Sequence, residues 1–168
     1  MARKRKPKLP AGGAIIEAVF DGCCEPRNPG GHAAWGALVR VNGEIVWRQS
    51  GYCGFGQNMS NNVAEYSGAL AALTEAIKYS GVITLRGDSR LVIMQLGPDP
   101  KYGNRWQMHG GFYEPYWREA RALVDQHRHR MAFKWVPRDE NSDCDELSKK
   151  ILTDMGIRFQ IQPQEVTA

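Results

Sequence analysis

Apolar and polar positions alternate in short blocks along the first third of the chain, then change to a helical period. Ala14-Ile15-Ile16-Glu17-Ala18-Val19-Phe20 reads as a strand that stops at Asp21-Gly22. A turn-rich segment, Glu25-Pro26-Arg27-Asn28-Pro29-Gly30-Gly31, follows it. Ala33 to Val41 is apolar and strand-like, and Glu44 to Tyr52 reads as the returning strand. Between them Asn42-Gly43 signals a tight hairpin, because both residues tolerate positive φ. The chain is thus expected to open with a three-strand antiparallel meander.

From Asn61 to Tyr79 the apolar residues Val63, Tyr66, Leu70, Leu73 and Ile77 recur at helical spacing. Ser60 or Asn61 can cap the start, and Gly81 suits the end. Val82 to Gly87 predicts a short strand and Ser89 to Leu96 a short helix. Residues 97–111 read as loop. Phe112 to His127 reads as a helix with Pro115 in its first turn. Met131 to Val136 is the last strand, stopped by Pro137, and Ser142 to Met155 the last helix. The order β-β-β-α-β-α-α-β-α predicts a five-stranded mixed sheet, three antiparallel strands and then strands reached through helices, with helices on both faces.

At 168 residues the chain suits one domain. We place it at residues 14–155, between a basic flexible leader (1–13) and a loose tail (156–168). The net charge of +4 owes much to Arg3, Lys4, Arg5, Lys6 and Lys8. That leader reads as a solvated tail, or as an electrostatic arm for nucleic acid, or as a nuclear localisation signal in a eukaryotic source. It lacks the apolar segment of a secretory signal, and no apolar run is long enough to span a membrane, so a cytoplasmic protein is expected. Cys23, Cys24, Cys53 and Cys144 match no paired metal-binding spacing and read as reduced thiols. Cys23 and Cys24, if on extended chain, point to opposite faces.

Four carboxylates carry the candidate chemistry: Asp21 and Asp88 where apolar strand patterns stop, Glu65 and Asp145 on helical patterns. Each has a bland reading. Asp21 could be a turn residue, Asp88 a helix cap, and Glu65 and Asp145 first-turn acids favoured by the helix dipole. Brought together, they would repel one another unless hard divalent cations, above all Mg²⁺, filled the pocket.

Phe20-Asp21-Gly22, Asn61-Asn62-Val63-Ala64-Glu65, Gly87-Asp88-Ser89 and Asn141-Ser142-Asp143-Cys144-Asp145-Glu146-Leu147 occur in an order and on elements that resemble ribonuclease H type 1, of the ribonuclease H-like α/β fold. The resemblance covers roughly Ile15 to Leu152. It implies endonucleolytic hydrolysis of the RNA strand of RNA–DNA hybrids, with Asp21, Glu65, Asp88 and Asp145 holding two Mg²⁺ ions (Mn²⁺ a possible substitute) and leaving 3′-hydroxyl and 5′-phosphate ends. It also implies minor-groove contacts from Asn28, Asn61 and Asn62, close backbone approach at Gly30 and Gly31, and a DNA phosphate on Ser60. Trp106 is either a stacking surface for the DNA strand or partly a core residue.

Two features depart from many members. The loop 136–141 has no histidine, and its Arg138 can hold a phosphate but cannot act as a base, with Asn141 an accessory beside it. The segment 98–109 is short and carries few cations. Rival readings are a catalytically silent hybrid-binding module and another nuclease of the same fold, such as a junction resolvase. The chain is expected to act as a monomer.

Overall fold

The computed structural model describes residues 13–159. The leader falls outside them except for Gly13, as does the tail beyond Phe159. A five-stranded sheet runs in the order β3-β2-β1-β4-β5. Its strands are β1 (Ala14–Glu25), β2 (His32–Val41), β3 (Glu44–Phe55), β4 (Gly81–Gly87) and β5 (Met131–Trp135). The helices are α1 (Asn61–Ala76), α2 (Arg90–Leu96), α3 (Glu114–Gln126) and α4 (Ser142–Asp154). The first three strands form the antiparallel meander, and β1, β4 and β5 are parallel. Asn42 (φ 51°) and Gly43 (φ 88°) make the hairpin turn. No helix among the described residues is long and apolar enough to cross a membrane.

Alternation along β1 sorts the two layers. Ile16, Ala18 and Phe20 join α1, α2 and α3 in the main core with Tyr66, Leu73, Val92, Leu96 and Val124. Val19 packs instead with Leu38 and Cys144, and Cys23 with Ala34 and Leu152, under α4. Cys24 returns to the α1 side with Ala33 and Ala64, so the adjacent cysteines do face opposite ways. α1 sits close to the sheet because the residues it buries include Ala64, Gly68, Ala69, Ala72 and Ala76.

Two expectations are corrected. The first strand does not stop at Asp21. It continues to Glu25, because β2 pairs with it along that whole stretch, from Asp21↔Gly36 to Glu25↔His32. The chain after residue 156 is not loose throughout, since Ile157 and Phe159 pack against Cys23, Ala34 and Leu152.

Candidate active site

β1 is paired with β4 only from Ala14 to Val19, and β4 ends at Gly87. Beyond Val19 the β4 side of β1 is open. That gap lies at the carboxyl end of the parallel strands, where open α/β sheets place their ligands. Asp21 stands in it from β1 and Asp88 from the residue after β4.

Glu65 arrives from α1 through Gly22. A Cβ on Gly22 would lie 2.3 Å from the Glu65 nitrogen and 2.5 Å from the Ala64 carbonyl carbon. Glycine there lets the helix backbone touch the strand and sets Glu65 beside Asp21. Carboxylate oxygens of Asp21, Glu65 and Asp88 all lie within 4.8 Å of one another.

The cap positions of both helices are filled by other residues. Ser89 caps α2, its hydroxyl accepting from Val92 N at 3.3 Å. Ser60 caps α1, accepting from Val63 N at 3.2 Å. Asp88 and Glu65 are left for the cleft.

Crowding three acids in a half-closed space changes their protonation. Burial, then the charges of Asp88 and Asp145, push the Asp21 carboxyl up to about 8. Burial and the neighbouring Asp21 and Asp88 hold Glu65 well above the usual carboxylate range. Asp88 is raised by burial, with Arg138 and Asn141 pulling the other way. The Oε2 atom of Glu65 is buried with no hydrogen-bond partner. Three mutually repelling oxygen donors and one orphaned buried oxygen fit a hard divalent cation such as Mg²⁺.

Asp145 stands apart from this trio. Lys149, one turn further along α4, places its Nζ 2.8 Å from Asp145 Oδ2, and Arg138 lies 3.5 Å from Oδ1. It is nevertheless near enough for its charge to raise the Asp21 carboxyl. Asn141 is buried and donates from Nδ2 to the Phe20 carbonyl at 2.9 Å and, more weakly, to Asp88 Oδ1 at 3.5 Å. It ties the entry of α4 to β1 and to the end of β4.

The cleft, about 260 Å³, is also lined by Asn61, Arg138, Lys149 and Phe159. Asn28 reaches it through Asn61, whose backbone N–H donates to Asn28 Oδ1 at 2.9 Å. Asn62 is exposed nearby on the first turn of α1. The Ser60 hydroxyl uses an acceptor lone pair for its cap and keeps its proton free to donate. Gly30, at φ +108°, forms the turn. Gly31 is buried, and a Cβ there would meet the carbonyls of Arg27 and Glu25 at 2.4 and 2.6 Å, so its small size serves its own loop. Trp106 lies away from the carboxylates. Its Nε1 donates to Asp99 at 2.7 Å while the residue stays 40% exposed.

Sequence reading missed Ser148, Lys149 and Phe159. Ser148 is fully buried, and its hydroxyl lies 3.2 Å from Asp21 Oδ2. Positions three and four after Asp145 share its helix face, which was the available signal. Cys23 also lines the cleft, but burial pushes its thiol up to about 12, so it stays protonated.

Fold and site together define an α/β domain of the ribonuclease H-like class with an acidic cleft. A family model described as reverse transcriptase-like matches residues 19–151, and the chain belongs to that family. Its solved relatives include ribonuclease H domains. The N-terminal RNase H domain of Rv2228c from Mycobacterium tuberculosis is 27% identical with a TM-score of 0.71, over 85% of this chain and 96% of that one. RNase H1 from Halobacterium salinarum is 31% identical with a TM-score of 0.66, over 83% and 98%. The bifunctional protein Rv2228c of M. tuberculosis is 34% identical over 90 residues, 53% of this chain and 23% of that protein. The match thus spans about a quarter of the length of that curated relative.

Proposed function

We propose that this chain is a divalent-cation-dependent ribonuclease H that cleaves the RNA strand of RNA–DNA hybrids. The observation that carries the reading is the carboxylate trio gathered within 4.8 Å in the open edge of β1. The names of the M. tuberculosis and H. salinarum relatives, both ribonuclease H proteins, support it.

Asp21, Glu65 and Asp88 would hold the metal, with Asp145 completing the set for a second ion. Bound Mg²⁺ supplies an attacking water of lowered pKa and charge stabilisation for the departing 3′ oxygen. The protein's own part is positional. Asn141 fixes Asp88 and the strand end beside Asp21. Asn28, Asn61 and Asn62 offer amides that can both donate to and accept from a 2′-hydroxyl, the group that marks RNA. Arg138 and Lys149 place positive charge where phosphate approaches, and Ser60 offers a hydroxyl donor. The Arg138 guanidinium carries only donors, so it can bind phosphate but cannot act as a base. We further propose that the protein works as a monomer in the cytoplasm, a setting that its four free thiols suit.

The test is a strand-labelled hybrid incubated with and without Mg²⁺. RNA fragments ending in 3′-hydroxyl, formed only with metal and lost in Asp21→Asn, support the proposal. A 2′,3′-cyclic phosphate would mean that the sugar hydroxyl attacked. Tight hybrid binding without cleavage at any Mg²⁺ or Mn²⁺ concentration would identify a silent binding module. Preference for branched DNA over hybrid would identify a resolvase.

A further inference from the structure

The sheet face that carries Asp21 continues past the cleft to an exposed cluster of rings. On β1, Asp21, Cys23 and Glu25 share one face, and Glu25 lines the cleft. Glu25 is paired with His32 on β2, and His32 with Phe55 on β3. The His32 and Phe55 ring centroids are 4.4 Å apart, and those of His32 and Tyr52 5.9 Å. The Tyr52 hydroxyl and His32 Nδ1 lie 2.7 Å apart, which fixes the two rings against each other.

A strand break in register builds this cluster. In a regular strand residues 52 and 55 face opposite sides. Here Ala34 pairs with Tyr52 and Ala33 with Gly54, so Cys53 is an extra residue. The bulge returns Phe55 to the face of Tyr52 and His32. Gly54 (φ +139°) and Gly56 (φ +117°) flank Phe55 and supply backbone shapes that other residues rarely adopt. Phe55 is left 66% exposed and Tyr52 40% exposed. The Gly56 N–H donates to the Gly31 carbonyl at 3.2 Å, joining the platform to the loop that carries Asn28.

We infer that His32, Tyr52 and Phe55 form a stacking platform for an unpaired nucleotide base flanking the cleaved segment. This rests on the hybrid-cleaving reading above. The occupant must be unpaired and unstacked, because bases inside a duplex are covered on both faces by their neighbours. Four residues along β1 at about 3.3 Å each, and two strand spacings of about 4.8 Å, put the platform roughly 16 Å from Asp21. At about 3.4 Å per nucleotide that is around five steps from the scissile phosphate. The substrate class is therefore a hybrid with a single-stranded extension beginning about five nucleotides from the cut.

The experiment compares short blunt hybrids with the same hybrids extended by unpaired RNA or DNA at each end, at several spacings from the cut. Wild-type protein should show a KM about 5- to 100-fold lower for one extended end, greatest near five nucleotides, with kcat little changed. Phe55→Ala and Tyr52→Ala should erase that gain and leave blunt-hybrid cleavage intact, and Phe55→Trp should restore it. A wild type indifferent to every extension overturns the platform, as does a Phe55→Ala/Tyr52→Ala double variant that keeps the gain. If the wild type cleaves no hybrid at all, the hybrid-cleaving reading falls separately. The platform is then judged by a single-stranded oligonucleotide carrying 2-aminopurine. Quenching in wild type that is lost in Phe55→Ala upholds base stacking, and no quenching in wild type overturns it.

Discussion

Lys149 reaches back one turn of α4 to Asp145, with Nζ 2.8 Å from Oδ2. This pairing separates the fourth acid from the trio of Asp21, Glu65 and Asp88, which make no ion pair among the described residues. Removing the lysine charge makes the cleft more negative. Lys149→Gln should therefore tighten divalent-ion binding about fivefold, an effect of about 1 kcal/mol for one partly exposed charge. Calorimetric titration with Mg²⁺ or Mn²⁺ measures it, and unchanged affinity would show that Lys149 does not shape the field at the metal site.

The raised Asp21 carboxyl makes metal-free stability depend on pH in an unusual direction. Unfolded, the group titrates near 3.8, and folded near 8. Between those values the native protein holds a proton that the unfolded chain has lost, so stability falls as pH rises through that window. Chemical denaturation in EDTA should show this decline, and Asp21→Asn should flatten it and raise the metal-free Tm. Millimolar Mg²⁺ should stabilise the wild type more at pH 8 than at pH 5, because protons and cations compete for the same oxygens.

Gly22→Ala should be severe although the change is one methyl group. The atoms that its Cβ would meet at 2.3 and 2.5 Å are backbone of α1, which cannot rotate away. We expect a loss of about 1–3 kcal/mol by overpacking and a displaced Glu65. Urea denaturation checks the first, and loss of the Mg²⁺-induced Tm rise the second.

Asn141→Ala removes the donor to the Phe20 carbonyl, 2.9 Å away in a buried setting. An orphaned buried carbonyl costs about 1–3 kcal/mol. Asp88 also loses an orienting contact, so kcat should fall more than KM rises. A variant with normal stability and normal kcat would show that this tie is dispensable.

Much of the fold was legible because its signals are local. Asn42-Gly43 needs only its own φ angles to turn the chain, and Ser60 caps its helix within three residues, whereas the cap of α2 fell to Ser89 rather than to Asp88. The apolar stripe of Val63, Tyr66 and Leu73 states its helix without reference to the sheet. The continuation of β1 through Asp21 was not legible, since Asp21-Gly22 carries a turn-like local signal. Pairing with β2 overrides it, and the partner residues lie seven to fifteen positions away in sequence.

The chain's own order of residues determined which acids exist, which elements carry them and that their chemistry suits a hard cation. Only tertiary structure decided that three of them converge while Asp145 turns to Lys149 and Arg138. It also decided that Ser148 and Phe159 belong to the cleft and that a bulge at Cys53 brings Tyr52 and Phe55 together. The reason is physical: caps and turns are fixed by neighbours along the chain, whereas side-chain convergence depends on where β4 stops and how closely α1 and α4 can approach β1.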